Sequence, residues 1–110
     1  MNSYNQVRLM GKIVFDPEIK DLKDNKRVGS FRLEAVAERG KTYVDVTCWD
    51  SKLLQMLGTT LVRGSNIKLA GELRSSSWAT KDGDKRSKVY VVANAIVDMD
   101  NYQGSIDKTI

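Results

Sequence analysis

Apolar and polar residues alternate along the first third of the chain, a pattern that predicts β-strands. The first strand covers residues 7–14, with apolar side chains at every second position, and Asp16-Pro17 interrupts it. A short extension over residues 18–22 leads into a polar turn at residues 23–26. A second alternating strand over residues 30–37 ends at a turn around Arg39-Gly40. These segments predict a sheet that is buried on one face only.

The third predicted strand, Thr42 to Asp50, separates most clearly into two faces. One face is small and apolar, and it carries Val44, Val46 and Cys48. The other face mixes aromatic and polar side chains: Tyr43, Asp45, Thr47 and Trp49. Because the apolar face already supplies the core, we expect the aromatic face to be exposed and to contact a flat ligand. Burial of Tyr43 and Trp49 is the alternative, since large aromatic residues are usually buried.

A single helical pattern follows the third strand. Leu53, Leu54, Leu57 and Leu61 repeat at helical spacing, with Asp50 or Ser51 as the N-cap. Gly58 is expected to weaken this helix or to end it early. A turn at residues 63–65 leads to a fourth strand over residues 67–73. The chain then continues with a predicted charged loop over residues 79–88, with Asp82-Gly83 at its tip, and a final predicted strand over residues 89–97.

The order of these elements predicts the fold. Five strands with one helix between the third and the fourth match the all-β, five-stranded Greek-key barrel known as the OB-fold. That fold binds oligonucleotides or oligosaccharides on the face of its second and third strands and on neighbouring loops. We therefore expect one domain over residues 1–100, followed by a flexible polar tail over residues 101–110.

The distribution of charge favours a polyanionic partner. The chain has 18 lysines and arginines and 14 aspartates and glutamates, a net charge of +4. Residues 98–110 sum to −2, so residues 1–97 carry +6. A basic folded body of this kind suits a polyanion. A mild positive charge that only maintains solubility is the alternative interpretation.

The residue types present limit the available chemistry. The sequence has no histidine, and Cys48 is its only cysteine. Imidazole acid–base catalysis, a thiolate zinc cage and an internal disulfide are therefore excluded. No signal peptide or membrane-spanning run is evident in the sequence. We expect a binding protein without catalytic activity, cofactor or metal, in the cytoplasm or in an organelle derived from it.

Several motifs, in order, resemble bacterial-type single-stranded DNA-binding proteins. The opening segment 5–12 and the segment 16–20, Asp-Pro-Glu-Ile-Lys, resemble the beginning of that family. Segment 29–33, Gly-Ser-Phe-Arg-Leu, resembles its second strand. Segment 64–74 matches best, and Trp78 and Asp82-Gly83 follow it. Each motif alone is weak, but the ordered set from Asn5 to about Val97 is fairly specific.

The resemblance implies particular binding residues. The family stacks bases on aromatic residues that correspond to Tyr43, Trp49 and Trp78. The basic residues implied to contact phosphates are Lys12, Lys20, Arg74, Lys85 and Arg86. The resemblance also implies protection of single-stranded DNA during replication, recombination or repair, and assembly into homotetramers or sometimes dimers.

Three features depart from the family pattern. The connection between the second and third strands, about Glu38 to Lys41, is short and lacks the stacking tryptophan that the family usually carries there. Asp45 occupies a position on the binding face where a basic residue is common, so local phosphate contact should be weaker. The family's acidic tip ending in Pro-Phe is absent, so we expect no recruitment of replication or repair proteins through such a tip.

Other interpretations stay open from the sequence. Trp78 could pack at a barrel end, and Phe15 could equally plug the barrel or stack on a base. Phe31 is expected in the core, and the charged loop could simply be solvated. A primosome-type restart protein of the same fold, which docks a helicase loader, is one alternative function. An OB-fold that binds oligosaccharide or protein, or a small nuclease, is another, although Asp45, Asp82 and Asp84 are too scattered to suggest a metal site.

Overall fold

A computed structural model describes residues 4–101 and confirms the predicted all-β barrel. The elements, in chain order, are β1 (Val7–Asp21), a 3-10 turn (Lys23–Asn25), β2 (Arg27–Ala37), β3 (Gly40–Cys48), α1 (Ser51–Met56), β4 (Asn66–Ala79) and β5 (Lys85–Asp98). The strands close in the order β1-β2-β3-β5-β4. The pairing of β3 with β5 is parallel and all other pairings are antiparallel. This is the OB-fold arrangement with one α-helix between the third and fourth strands.

The core lies inside the barrel, where alternate side chains of the strands point. Its most deeply buried strand residues are Ile13, Leu33, Val46, Cys48, Ile67, Leu69 and Val91. Two glycines let neighbouring strands approach closely. A Cβ at Gly11 would lie 2.1 Å from the carbonyl oxygen of Glu34, and one at Gly71 would lie 2.1 Å from that of Val92. The barrel therefore closes tightly only because these positions lack side chains.

A bulge interrupts β1 where the sequence predicts a break. The pairing of β1 with β2 shifts register between Val14 and Glu18, and Phe15 adopts a positive φ of 64°. Beyond the bulge the strand continues to pair as far as Asp21. The Asp16-Pro17 segment therefore bends the strand instead of ending it, and the bend turns Phe15 outward.

The helix is shorter than the leucine spacing predicts. It spans Ser51–Met56, and the Asp50 carboxylate caps it by accepting hydrogen bonds from the backbone N–H groups of Lys52 and Leu53, at 2.8 and 3.4 Å. Gly58 follows with a φ of 82°, so the helix ends early as expected. Leu61 is fully buried but lies in the turn after the helix, so its placement on the helix was wrong.

Half of the predicted charged loop at residues 79–88 is strand, which corrects the sequence interpretation. Pairing of β4 with β5 extends to Ala79 and Lys85, and only residues 80–84 form the turn, with Gly83 at a φ of 84°. Residues 75–89, called the hairpin arm below, are exposed apart from partly buried Thr80. The arm projects beyond the barrel because strand pairing continues where core packing has ended.

The chain after β5 is tied to the start of β4. The Asp100 carboxylate accepts hydrogen bonds from the backbone N–H and the side-chain amide of Asn66, both at 2.9 Å. These bonds are the main reason that the pKa of Asp100 is lowered. The tail predicted over residues 101–110 lies outside the described residues except for Asn101.

Candidate nucleic-acid interface

Two adjoining grooves cross the outer face of the sheet. The first lies between the β1 bulge, the outer faces of β2 and β3, and the base of the hairpin arm. The side chains that matter in it are those of Phe15, Arg32, Asp45, Trp49, Lys88 and Tyr90. The second groove shares Phe15 and Arg32 with the first and continues past Tyr43 towards Lys12 and Arg63. The shared residues make the two grooves one continuous path lined by aromatic rings and cations.

The outer face of β3 supplies two of the aromatic rings. Tyr43 and Trp49, the latter one residue past the end of β3, are each 50% exposed, whereas Val46 and Cys48 between them are fully buried. The exposure predicted from alternation is therefore correct. Burial of Cys48, with a smaller contribution from the Asp50 charge, raises the pKa of its thiol to about 12. The role of Tyr43 and Trp49 as stacking surfaces stays a prediction.

The hairpin arm brings its own side chains to the first groove. Residues paired directly across antiparallel strands point to the same face, and the pairs here are Ser76 with Lys88 and Trp78 with Arg86. Ser76 and Lys88 line the groove, so Trp78 and Arg86 lie farther out along the same face of the arm. Trp78 is 49% exposed, which removes the barrel-end alternative.

The five cations predicted to contact phosphates do not all lie along this path. Lys12 lines the second groove, and its charge contributes slightly to the lowered pKa of Asp100. Arg74 pairs with Tyr90 on the groove side of the sheet, but its guanidinium binds the carboxylate of Glu72, with Nε 2.9 Å from Oε1.

The remaining cations differ in their position. Arg86 shares its face with Trp78, whereas Lys85, one residue earlier, points to the opposite face of the arm. Lys20 lies on the β1 extension, opposite Val28, and lines neither groove. Lys20 and Lys85 are therefore the weakest candidates of the predicted set, and phosphate contact by either stays a prediction.

The sequence missed three aromatic or cationic groove residues: Arg32, Arg63 and Tyr90. It left Phe15 open between a barrel plug and a base stacker, and Lys88 open between a solvated loop and a phosphate contact. Arg32 could have been found from the alternation of β2, which points it outward beside Phe31, a core residue as expected. Its guanidinium lies 5.7 Å from the centroid of the Tyr43 ring. Phe15, at 64% exposed, depends on the positive φ of the bulge. Arg63 lies in a turn that only the folded chain brings beside β1.

Three acidic residues line the first groove, Asp16, Glu18 and Asp45, and Asp45 is the one beside both of its cations. The Asp45 carboxylate lies 2.7 Å from the Lys88 ammonium and 4.0 Å from Nε of Arg32. Asp82 and Asp84 both lie in the turn at the tip of the hairpin arm. Within residues 4–101, no group of three or more histidine, cysteine, aspartate or glutamate side chains is suited to a metal ion. Among those same residues, no helix is long and apolar enough to cross a membrane.

Solved structures share this fold. The chain superposes on the chain of "Plasmodium falciparum SSB complex with ssDNA" with a TM-score of 0.79 and 18% identity, covering 90% of this chain and 97% of that one. The mitochondrial single-stranded DNA-binding protein Rim1 of S. cerevisiae gives a TM-score of 0.76 and 11% identity, covering 89% and 97%. At these identities the likeness establishes the fold.

Comparison with related sequences identifies the family of this chain. Single-stranded DNA-binding proteins of Neisseria meningitidis are 30% identical over 84% of this chain, which spans 58% of their length. That of Thermotoga maritima is 29% identical, covering 91% of this chain and 77% of the relative. The model of the single-strand binding protein family matches residues 4–99. The chain therefore belongs to the single-strand binding protein family.

Proposed function

We propose that this protein binds single-stranded DNA with little sequence preference and catalyses no reaction. The observation that carries the proposal is the continuous groove of exposed aromatic rings and cations on the outer face of the barrel. Relatives that bear the name single-stranded DNA-binding protein support it. The ssDNA named in the Plasmodium falciparum complex supports the same ligand for a barrel of this shape.

The proposed mechanism divides the work between rings and cations. Bases stack on Trp49, Tyr43 and Trp78, and each useful stack contributes about 1–3 kcal/mol. Phosphates are held by cations along the path, foremost Lys12, Lys88 and Arg86. Stacking tolerates every base because every base has a π-face, so sequence preference is weak. Phosphate contacts make affinity fall with salt, with a slope of about −0.7 for each phosphate neutralised on a single strand.

The cellular role follows from this chemistry. The protein would cover exposed strands in the cytoplasm during replication, recombination or repair. Assembly into a homotetramer, or a dimer, would let several grooves act on one strand and so raise the overall affinity. Light scattering on the purified protein measures that assembly directly.

Tryptophan fluorescence tests the proposed binding. Titration with a thymidine oligomer should quench Trp49 and Trp78 strongly at low salt and less at high salt, because stacked bases quench indole emission and salt weakens phosphate contacts. A duplex of equal length should cause little quenching, since its bases are already stacked on each other. Equal response to duplex, or no quenching at all, would overturn the proposal.

One observation favours a second function, that of a primosome-type restart protein which binds single strands and docks a helicase loader. β2 and β3 are joined by a turn of only Glu38 and Arg39, since Ala37 already pairs with Gly40. So short a turn cannot supply the stacking tryptophan that the family usually carries between its second and third strands. A protein that only covers single strands would be expected to have such a residue. Capture of a helicase loader by the purified protein, together with a dimeric mass, would favour this function.

A further inference from the structure

The Asp45 carboxylate lies near one cation on each side of the first groove. Its Oδ2 lies 2.7 Å from Nζ of Lys88 and its Oδ1 lies 4.0 Å from Nε of Arg32. The three side chains come from three strands, since Asp45 is on β3, Lys88 on β5 and Arg32 on β2. The carboxylate thus stands between the two cations that line this groove from opposite sides.

These two cations are also well placed to receive phosphates of a bound strand. Both line the first groove, and their side chains are 50% and 49% exposed. Carboxylate and phosphate are both oxygen anions that accept hydrogen bonds from guanidinium and ammonium groups. A phosphate that reaches Lys88 must therefore displace Asp45, and a phosphate at Arg32, 4.0 Å from that carboxylate, is repelled by its charge.

We propose that Asp45 is an internal substitute for phosphate that limits the affinity of the groove for nucleic acid. In the free protein it binds Lys88 and partly neutralises the nearby Arg32, and the phosphate of an entering strand takes its place. When the strand leaves, the carboxylate recovers both cations, so the groove returns to a neutralised state. The proposal rests on the proposed function, because it concerns the site that would bind the strand.

Because the side chains of Asp45, Lys88 and Arg32 are exposed, they can be substituted without unfolding the barrel. All three side chains are between 39% and 50% exposed, so their ion pairs contribute little to folding stability. Asp45→Asn keeps the size of the side chain and removes only its charge. Asp21→Asn is the matched control, since Asp21 forms an equivalent exposed ion pair with Arg27 at 2.9 Å and lines neither groove.

The experiment is a fluorescence anisotropy titration of a labelled thymidine oligomer over a tenfold range of sodium chloride. Asp45→Asn should bind more tightly than the wild type, and its salt slope should be steeper by about 0.7, the value of one more neutralised phosphate. Its advantage should therefore be about fivefold larger at the lowest salt than at the highest. Asp21→Asn should match the wild type in both quantities.

A second pair of variants separates competition from a general effect of charge. In an Arg32→Gln/Lys88→Gln background, adding Asp45→Asn should bring a clearly smaller gain, because the cations it would release are gone and only the repulsion of phosphate is removed. An undiminished gain in this background, an equal gain in Asp21→Asn, or no gain in Asp45→Asn would each overturn the inference while strand binding itself stands. Failure of the wild type and all variants to bind the oligomer would instead overturn the proposed function, and this inference with it.

Discussion

Val89 and Val91 lie two residues apart on β5, on the same face of the sheet, and their surroundings differ sharply. Val91 is 1% exposed inside the barrel, whereas Val89 is 62% exposed on the hairpin arm. Both belong to one strand whose pairing with β4 is unbroken from Lys85 to Ala93. Strand pairing therefore continues past the point where the barrel ends, but burial does not.

This difference indicates that the barrel and the hairpin arm have different roles. In the barrel, the inward face is packed and the outward face carries the grooves. In the arm, both faces are open to solvent, and its turn is held by local bonds such as that from the Gly83 N–H to the Thr80 carbonyl, at 3.0 Å. Substitutions in the barrel core should therefore affect folding, and those in the arm should affect binding.

Substitution of Val91 gives the largest expected effect on stability, and Val89 is its matched control. Val91→Ala should lower the free energy of unfolding by about 2 kcal/mol, through lost apolar burial and the cavity left behind. Val89→Ala should change it by less than about 0.5 kcal/mol, as is usual at exposed positions. Urea denaturation followed by circular dichroism measures both values. Similar losses for the two variants would mean that the arm is packed against something and would break the comparison.

Trp78→Ala should weaken binding without weakening the fold. We expect a loss of about 1–3 kcal/mol in affinity for a thymidine oligomer, the usual contribution of one base stack. Its thermal midpoint should stay that of the wild type, because Trp78 is 49% exposed on the arm. Trp49→Ala, at the edge of the barrel, should lose a similar amount of affinity. A drop in the midpoint for Trp78→Ala would indicate a packing role instead.

Arg86 and Lys85 test the two faces of the arm. Arg86→Gln should make the salt slope of binding shallower by about 0.7, because it removes one phosphate contact on the face of Trp78. Lys85→Gln removes the same charge from the opposite face and should leave the slope nearly unchanged. Anisotropy titrations at several salt concentrations measure this slope. An equal change in the two variants would show that the strand contacts both faces of the arm.

The smallest expected effect concerns Cys48. Its thiol is fully buried and its pKa is raised to about 12, so native protein at pH 8 should not react with a thiol reagent. The unfolded chain, in urea, should react at once. A raised pKa also means that the folded state retains this proton while the unfolded state loses it, so stability should fall as pH rises above 9.0. Rapid labelling of the native protein would indicate that the barrel opens near β3.

Alternation predicted much of the site as well as of the fold. It placed Tyr43 and Trp49 on the outer face of β3 and Phe31 in the core, as found. The alternation of β2 also indicates that Arg32 points outward, but only the structure shows that its guanidinium lies over the ring of Tyr43. A loop over residues 79–88 makes Lys85 and Arg86 equivalent, because a loop has no faces. Once the segment is a strand, adjacent residues point to opposite sides.

The sequence by itself determined the all-β class, the order of the five strands and the helix, a helix cap at Asp50 or Ser51, and the face of β3 that carries the aromatic rings. Each of these depends on residues close together in the chain, where periodicity and capping act. Only the tertiary structure decided that Phe15 turns outward at a bulge, that Arg63 reaches the second groove, and that Asp45 lies between Lys88 and Arg32. Those placements depend on strand register and barrel closure, which bring together side chains that are distant in sequence.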